Sequence, residues 1–148
     1  MKLSTRSTYG MRALVELGLA RGRGPLSAAQ IARRQGLSVA YLEQLLHRLK
    51  KQGMVTSVRG PKGGYLLARE PEQVSVGEIV RTLDGEATPQ HTKTRDGHRH
   101  AQRIAQAVFR YLHERLASSL DAVTLHEVCE DVQALSGESL DHRYVFHI

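Results

Sequence analysis

The first third of the chain alternates between helical apolar patterns and short breaks. Apolar side chains recur at three- and four-residue spacing from about Ser4 to Ala20, which predicts a first helix. The glycines and the proline of residues 21–25 should end it. Ser27 is placed to cap a short helix from Ala28 to Gln35, and Gly36 should stop that helix.

The next helix, which Ser38 should cap, has two distinct sides. Its apolar stripe is formed by Tyr41, Leu42, Leu45, Leu46 and Leu49. Its other side carries Ala40, Glu43, Gln44, His47, Arg48 and Lys51. Two short helices joined by a turn that contains glycine are typical of a helix-turn-helix. The polar side could therefore reach base edges and phosphates in a major groove.

A short β-hairpin is predicted directly after this helix. Gly53 should end the helix, and Met54–Arg59 reads as a strand rich in branched residues. Residues 60–64, Gly-Pro-Lys-Gly-Gly, form a tight turn before a second strand, Tyr65–Ala68. The turn lacks the Gly-Lys-Ser/Thr ending of a nucleotide-phosphate loop and leads into a strand, which excludes that interpretation. A helix-turn-helix followed by a basic hairpin predicts a winged helix.

The C-terminal half is predicted to be helical. A helix from Val76 to Leu83, capped by Ser75, should bury Val76, Ile79, Val80 and Leu83. Residues 85–100 form a polar loop without periodicity. A helix of about 20 residues begins at Ala101 and carries a long apolar stripe. A short helix, Thr124–Ala134, has a capping-box spacing with Glu127.

The long stripe either packs on its own domain or pairs with a second copy of the chain. Regulators that read DNA commonly dimerise to match the two-fold symmetry of their sites, which favours a dimer. The expected dimer contacts are Ile104, Val108, Leu112, Leu116 and Leu120. The expected fold is mainly α with a small β-hairpin, divided into a DNA-binding domain (1–84), a loop (85–100), a dimerisation region (101–136) and an unclassified tail (137–148).

Composition and charge narrow the function. The 148 residues contain no apolar run long enough for a membrane span, no secretory signal pattern at the N-terminus and one cysteine, which predicts a cytoplasmic protein without an internal disulfide. Residues 1–70 contain 13 Lys/Arg and three acids, whereas the remainder contains 8 Lys/Arg and 12 acids. A basic part joined to an acidic part indicates that one part meets a polyanion.

Three segments resemble the IscR-type family of bacterial winged-helix transcription regulators, which includes IscR, NsrR, RirA and CymR. They are Ser38–Leu45 (SVAYLEQL), Leu49–Val55 (LKKQGMV) and Val58–Leu67 (VRGPKGGYLL). Residues 76–80 and 123–125 are also similar to that family. The resemblance implies a homodimer with a long crossed dimerisation helix, bound to a palindromic site in double-stranded DNA. It also implies a transcription regulator, and we expect a repressor.

The resemblance assigns roles to individual residues. It places Tyr41, Glu43 and Gln44 near bases and Arg59 in the minor groove, while Ala40 replaces a serine that some members have and loses its hydroxyl donor. We expect phosphate contacts from Ser38, Arg48, Lys51 and Lys62. The complete expected DNA-binding set is Ser38, Ala40, Tyr41, Glu43, Gln44, Arg48, Lys51, Arg59, Gly60, Pro61, Lys62 and Gly63.

The cofactor of several family members is not expected here. Those members bind an iron–sulfur cluster through three cysteines, but residues 91–107 contain none, and Thr92, His98 and Ile104 occupy the aligned places. Because such clusters depend largely on thiolate ligands, we predict no iron–sulfur cluster. The effector therefore stays unidentified.

Three interpretations of the signal remain open. The regulator has no metal and responds to another ligand or to none; or His91, His98 and His100 bind a transition metal or haem; or Cys129 is a redox switch. A solvated, histidine-rich loop and a buried, unreactive cysteine are the ordinary alternatives. His47 is expected either to contact DNA or to be a half-exposed helical residue, and His113 and His126 are expected to be packing residues.

Two other classes of function are weighed against the regulator. A protein-interaction module, with RNA as a further potential partner, would use the winged helix as a scaffold and would show no preference for any DNA site. An enzyme is not expected, because no nucleophile–base pair emerges at readable spacing.

Overall fold

The computed structural model describes residues 3–85 and 99–146, with side chains described as far as residue 137. The fold is mainly α with one small hairpin, as predicted. Its helices are α1 (Thr5–Leu19), α2 (Ala28–Gln35), α3 (Val39–Lys51), α4 (Val76–Asp84), α5 (Arg99–Asp121) and α6 (Leu125–Phe146). Its strands are β1 (Val55–Val58) and β2 (Gly64–Leu67), and a 3₁₀ turn covers Pro71–Gln73.

Serine caps explain where the first four helices begin. In each case the serine hydroxyl accepts a hydrogen bond from the backbone N–H three residues further on. The four caps are Ser4, Ser27, Ser38 and Ser75. Ser27 forms a complete capping box, because the Gln30 side chain also accepts from the Ser27 N–H at 2.9 Å. Gly36 ends α2 in the left-handed region, with φ 67°. The predicted helix-turn-helix is confirmed.

The core lies where α1, α2, α3 and α4 meet. It is built mainly from leucines of α1, α3 and α4 that are at most 2% exposed, which are Leu14, Leu42, Leu45, Leu46, Leu49 and Leu83, and it is joined by Leu125 of α6. Burying one such side chain stabilises the fold by about 1.5–3 kcal/mol. Helices α1 and α4 approach closely at Gly10, where an added Cβ would lie 2.2 Å from Cδ1 of Leu83. Val80, expected to be buried, is only half-buried because it faces α5.

The hairpin is attached to the helical core by a third extended segment. Strands β1 and β2 are antiparallel, with Val55 opposite Leu67 and Val58 opposite Gly64. Tyr65 also exchanges two backbone hydrogen bonds with Leu26, of 2.7 and 3.1 Å. An added Cβ at Gly64 would lie 2.3 Å from the Leu26 carbonyl oxygen, so this close approach requires glycine. The predicted wing is confirmed, with strand ends within one or two residues of those expected.

Helix α5 leaves the core and α6 returns to it. None of the residues of α5 is buried, although the helix packs along α4. The residues between α5 and α6 pair with the segment that leads into α4, and the Val76 N–H donates to the Val123 carbonyl at 2.9 Å. Leu125 and Cys129, at the start of α6, are buried against α1 and its neighbours. The region 101–136 therefore contains one helix outside the core and the beginning of another inside it.

Two predicted helix boundaries were wrong. Helix α5 begins at Arg99, so Arg99 and His100 are helical although they were assigned to the loop 85–100. The last helix is not short, because α6 runs from Leu125 to Phe146 through most of the expected tail. The helix continues through Gly137, because one glycine inside a helix costs only about 1 kcal/mol relative to alanine. The expected loop positions His91, Thr92 and His98 lie outside the described residues.

Candidate nucleic-acid interface

Helix α3 presents a polar surface because its other side is embedded in the core. Leu42, Leu45, Leu46 and Leu49 hold it there. The exposed side comprises Ala40, Glu43, Gln44, His47, Arg48 and Lys51. The Ser38 hydroxyl accepts from the Tyr41 N–H at 3.2 Å, and the remaining N–H groups of this first turn give it a partial positive charge. The structure thus brings the expected polar side to the surface as one continuous strip.

Tyr41 lies at the edge of that strip and is half-buried. Its ring meets the ring of Tyr9 edge-on, with centroids 6.1 Å apart. The guanidinium carbon of Arg12 lies 5.1 Å from the Tyr9 ring centroid, and Arg12 Nε donates to the Gln35 side chain at 2.6 Å. The Tyr41 ring is therefore held in place by packing from α1, and its exposed part has a fixed direction.

The wing tip is a narrow turn whose backbone demands glycine. Gly60 has φ 112°, and its carbonyl accepts from the Gly63 N–H at 2.9 Å. An added Cβ at Gly63 would lie 2.1 Å from the Val58 carbonyl oxygen. Arg59, Pro61 and Lys62 are exposed around this turn. The tip is thus slender and carries two cationic side chains, which suits entry into a narrow groove.

The wing and α3 are joined side by side. Lys50, in the last turn of α3, donates from Nζ to the Ser57 hydroxyl on β1 at 2.7 Å. This hydrogen bond fixes the end of the polar strip next to the hairpin. A cation in the last turn of a helix also interacts favourably with the helix dipole.

The cations of the DNA-binding region fall into two groups. Several are paired: Arg34 with Glu16 at 3.1 Å, Arg69 with Glu78 at 2.7 Å, and Arg21 with Glu70. The hydrogen bond that Arg21 donates to the Glu70 carboxylate raises the pKa of Arg21. Among the described residues, no ion pair or hydrogen bond engages the side chains of Lys51, Arg59 or Lys62. On α3 and the wing, these three cations are therefore available to a polyanion.

Arg48 differs from the others on the strip. Its Nη1 donates to the backbone carbonyl of Leu83 at 3.1 Å, in the last turn of α4. The expected phosphate contact would have to use the other guanidinium nitrogens. Sequence spacing gave no signal for this contact, since Arg48 and Leu83 are 35 residues apart.

An apolar groove of about 660 Å³ lies between α4, α5 and the start of α1. Its main lining residues are Leu3, Val80, Phe109, Leu112, Leu116 and Leu120. Phe109 and His113 stack in parallel with ring centroids 6.0 Å apart, so His113 is the packing residue that was expected. The expected dimerisation stripe did not include Phe109, because its residues were chosen at four-residue intervals from Ile104 to Leu120.

The expected dimerisation residues are largely exposed. Ile104, Val108, Leu112 and Leu116 are 46–54% exposed, and Leu120 is half-buried. The exposed large apolar side chains of α5 run from Ile104 to Leu116, about half of its 23 residues. Contiguous exposed apolar patches often mark interaction sites.

The candidate ligands for a metal are not assembled in the part of the chain that the structure describes. There, no group of three or more His, Cys, Asp or Glu side chains is placed to hold a metal ion. His100 is exposed in the first turn of α5, while His91 and His98 lie outside the described ranges. His126 was expected to pack, but it lies 3.2 Å from Glu72 and 3.1 Å from Glu130 at the surface. His47 is exposed on α3.

Cys129 is a core residue rather than an exposed thiol. It is 7% exposed and lies in the contact between α6 and α1, where an added Cβ at Gly18 would be 2.7 Å from its Sγ. Burial raises the pKa of the Cys129 thiol. Because the thiolate is the reactive form, this environment disfavours the redox switch.

Comparison with protein families gives one match that covers most of the chain. The family model described as "Rrf2: Iron-dependent Transcriptional regulator" matches residues 3–131. The HTH-type transcriptional regulator IscR of Klebsiella pneumoniae is 34% identical over 145 residues, which are 97% of this chain and 89% of that protein. IscR of Xenorhabdus nematophila is 36% identical over 136 residues, 91% of this chain and 83% of that protein.

Solved structures of such regulators have the same fold. IscR of T. potens is 39% identical, with a TM-score of 0.72 over 89% of this chain and 88% of that chain. CymR, the global cysteine regulator of B. subtilis, is 34% identical, with a TM-score of 0.73 over 88% and 97%. These similar proteins are transcription regulators and not enzymes, which confirms the expected class. No helix in the described ranges is long and apolar enough to cross a membrane.

Proposed function

This chain belongs to the Rrf2 family of transcription regulators, and we propose that it is a homodimeric repressor that binds a palindromic promoter site in the cytoplasm. Each subunit places α3 in a major groove and its hairpin in the adjacent minor groove. The observation that carries this proposal is the joint exposure of the α3 polar strip and the cationic wing tip, which Lys50 and Ser57 hold side by side.

The exposed residues divide by the part of DNA that they suit. In this proposal, Ser38, Lys51 and Lys62 contact phosphates, whereas Glu43, Gln44 and the half-buried Tyr41 contact base edges; the exposure of the first five side chains supports these roles. Arg59 reads the minor groove from the wing, and Gly60, Pro61 and Gly63 shape the turn that carries it. Ala40 offers no hydroxyl, so the preferred site differs from that of a relative with serine there.

The dimer is formed by α5. A palindromic site requires two copies of α3 related by a two-fold axis, and the exposed apolar side chains along α5 offer a surface for that contact. Pairing would cover Ile104, Val108, Leu112 and Leu116, which water otherwise surrounds. Homodimer contacts are typically more apolar than other interfaces, as this surface is.

The chain's donor set does not fit a cluster held by three thiolates. The sequence contains one cysteine, and Cys129 is buried in the core where no cluster has room. The matched family is described as iron-dependent, but we propose that this regulator works without an iron–sulfur cluster. A visible absorption spectrum and iron analysis of protein purified without oxygen test this point, and a coloured, iron-containing dimer would contradict it.

Selection from random DNA tests the function as a whole. Duplexes enriched by the wild-type protein should contain an inverted repeat, and fluorescence anisotropy should show at least 10³-fold tighter binding to them than to a shuffled duplex. The affinity should also fall steeply with salt, because phosphate contacts release counterions. No enrichment, or a flat salt dependence, would instead favour the protein-interaction module.

A further inference from the structure

Arg48 and the end of α4 form a contact that the DNA-binding role of α3 does not itself require. Arg48 Nη1 donates to the Leu83 carbonyl oxygen at 3.1 Å. That carbonyl belongs to the last turn of α4, where backbone oxygens have no partner within the helix. A guanidinium is suited to this place, because it satisfies the oxygen and interacts favourably with the negative end of the helix dipole.

The last turn of α4 is itself firmly held. Leu83 is 1% exposed and packs on Gly10 of α1. The neighbouring Asp84 carboxylate accepts hydrogen bonds from Ser4 and Ser7. Arg48 therefore joins the edge of the exposed strip of α3 to a fixed point, while the leucines on the apolar side of α3 join it to the core. Attachments at different angles around a helix restrict its rotation about its own axis.

We infer that Arg48 is a positioning residue, which fixes the rotation of the recognition helix through Leu83 and thereby sets DNA specificity without contacting a phosphate. This inference rests on the proposed function, since it assumes that α3 reads bases. This positioning role distinguishes Arg48 from Lys51. Lys51 lies three residues further along α3, is exposed, and has no ion-pair or hydrogen-bond partner among the described residues.

The two roles give different salt dependences. A lost phosphate contact lowers the affinity for every duplex and reduces the slope of log K against log salt by about 0.9. A lost positioning contact weakens binding to the selected duplex, which depends on the orientation of the base-contacting side chains. It leaves the slope of log K against log salt unchanged. For Arg48→Met we therefore expect about three- to thirty-fold weaker binding to the selected duplex, with the shuffled duplex and both slopes as in wild type.

Lys51→Met is the matched control, because it removes one cation from the same helix. It should weaken both duplexes and lower the slope. Arg48→Lys keeps a donor that can reach a carbonyl, and it should recover part of the lost specificity. If Arg48→Met behaves like Lys51→Met, or if it leaves the selected duplex unaffected, the inference is wrong. A mere loss of folding would lower the melting temperature without changing the specificity of the folded fraction.

A measurement without DNA keeps this test independent of the proposed function. Amide hydrogen exchange along Val39–Lys51 should be faster in Arg48→Met than in wild type and intermediate in Arg48→Lys, at equal global stability. Unchanged exchange in α3 would overturn the inference even if the DNA site were never found. If the wild-type protein prefers no duplex but exchange does rise, the proposed function fails and the contact between α3 and α4 stands.

Discussion

The Ser7 hydroxyl donates a 2.6 Å hydrogen bond to Oδ2 of Asp84, 77 residues away in the sequence. Ser7 is fully buried, and Ser4 donates to the other carboxylate oxygen of Asp84. Arg6 Nε lies 3.6 Å from the same oxygen, Oδ1. One carboxylate thus joins the first turn of α1 to the last turn of α4. The groove beside α5 and the Arg48 contact both depend on the position of that turn.

Asp84→Asn should destabilise the fold by about 1–3 kcal/mol, because the amide replaces one of two acceptors with a donor facing a buried hydroxyl. Urea unfolding followed by circular dichroism measures the change. Asp121→Asn is the control, since Asp121 pairs with Arg81 at 2.8 Å on the surface and should cost less than about 1 kcal/mol. Equal losses in the two variants would show that Asp84 is no more than a surface ion pair.

Arg59→Ala should weaken binding to the selected duplex by about 1–3 kcal/mol, the size of one good groove contact. The wing should keep its shape, since no described hydrogen bond or ion pair uses the Arg59 side chain. Fluorescence anisotropy at fixed salt measures the change. Arg110→Ala removes an exposed cation from α5 and should change affinity little. If Arg59→Ala weakens binding by less than a few tenths of a kcal/mol, Arg59 does not contact the DNA.

Leu112→Asp should convert the dimer to a monomer, because it places a charge at the middle of the exposed apolar surface of α5. Sedimentation velocity measures the oligomeric state, and affinity for the palindromic duplex should fall with it. Arg110→Asp introduces the same side chain two positions earlier, on the other side of the helix, and should remain a dimer. A monomeric wild-type protein, or a dimeric Leu112→Asp protein, contradicts the role of α5.

The stability of the fold should depend on the titration of Cys129. Burial raises its pKa above the ordinary value of 9.0, so the folded chain holds the thiol proton more tightly than the unfolded chain does. The resulting stabilisation is complete below about pH 9 and is lost as the pH rises through that value towards the raised pKa. The free energy of unfolding should therefore fall more steeply between pH 8 and 10 in wild type than in Cys129→Ala.

Urea unfolding at each pH measures this difference. The folded wild type should also react slowly with a thiol reagent at pH 7, at a rate that urea accelerates. Parallel pH profiles for the two proteins would show that Cys129 is not shielded as the structure indicates. Rapid modification that abolishes DNA binding would restore the redox switch.

Local sequence signals predicted the DNA-binding half well. Serine caps, glycine stops and the leucine stripe of α3 each act over a few residues, and Ser27, Ser38 and Gly36 lie where those rules put them. The Gly63-Gly64 pair marked a tight turn, although only the structure shows that Gly64 must be glycine because of Leu26.

The Arg48 contact and the groove beside α5 could not be predicted, because they depend on contacts between distant parts of the chain. Nothing in the pattern of α3 separates Arg48 from Lys51, because the Leu83 carbonyl that distinguishes them comes from another helix. The groove was missed for a similar reason, since Phe109 and Val80 meet only when α5 packs on α4. The predicted last helix was too short, because the tail after Gly137 is too short to classify by its pattern alone, and the local cost of one glycine does not stop a helix.

The pairing of Tyr65 with Leu26 has a consequence for the geometry of the operator. Those two hydrogen bonds attach β2 to the residues just before α2, and Lys50 attaches β1 to α3 at Ser57, the residue that pairs with Tyr65. The hairpin is therefore held at one position relative to α3. In the proposed DNA complex, each half-site must present its major-groove bases and its minor-groove step at one fixed separation, because inserting a base pair between them shifts the second by about 3.4 Å and rotates it around the duplex axis.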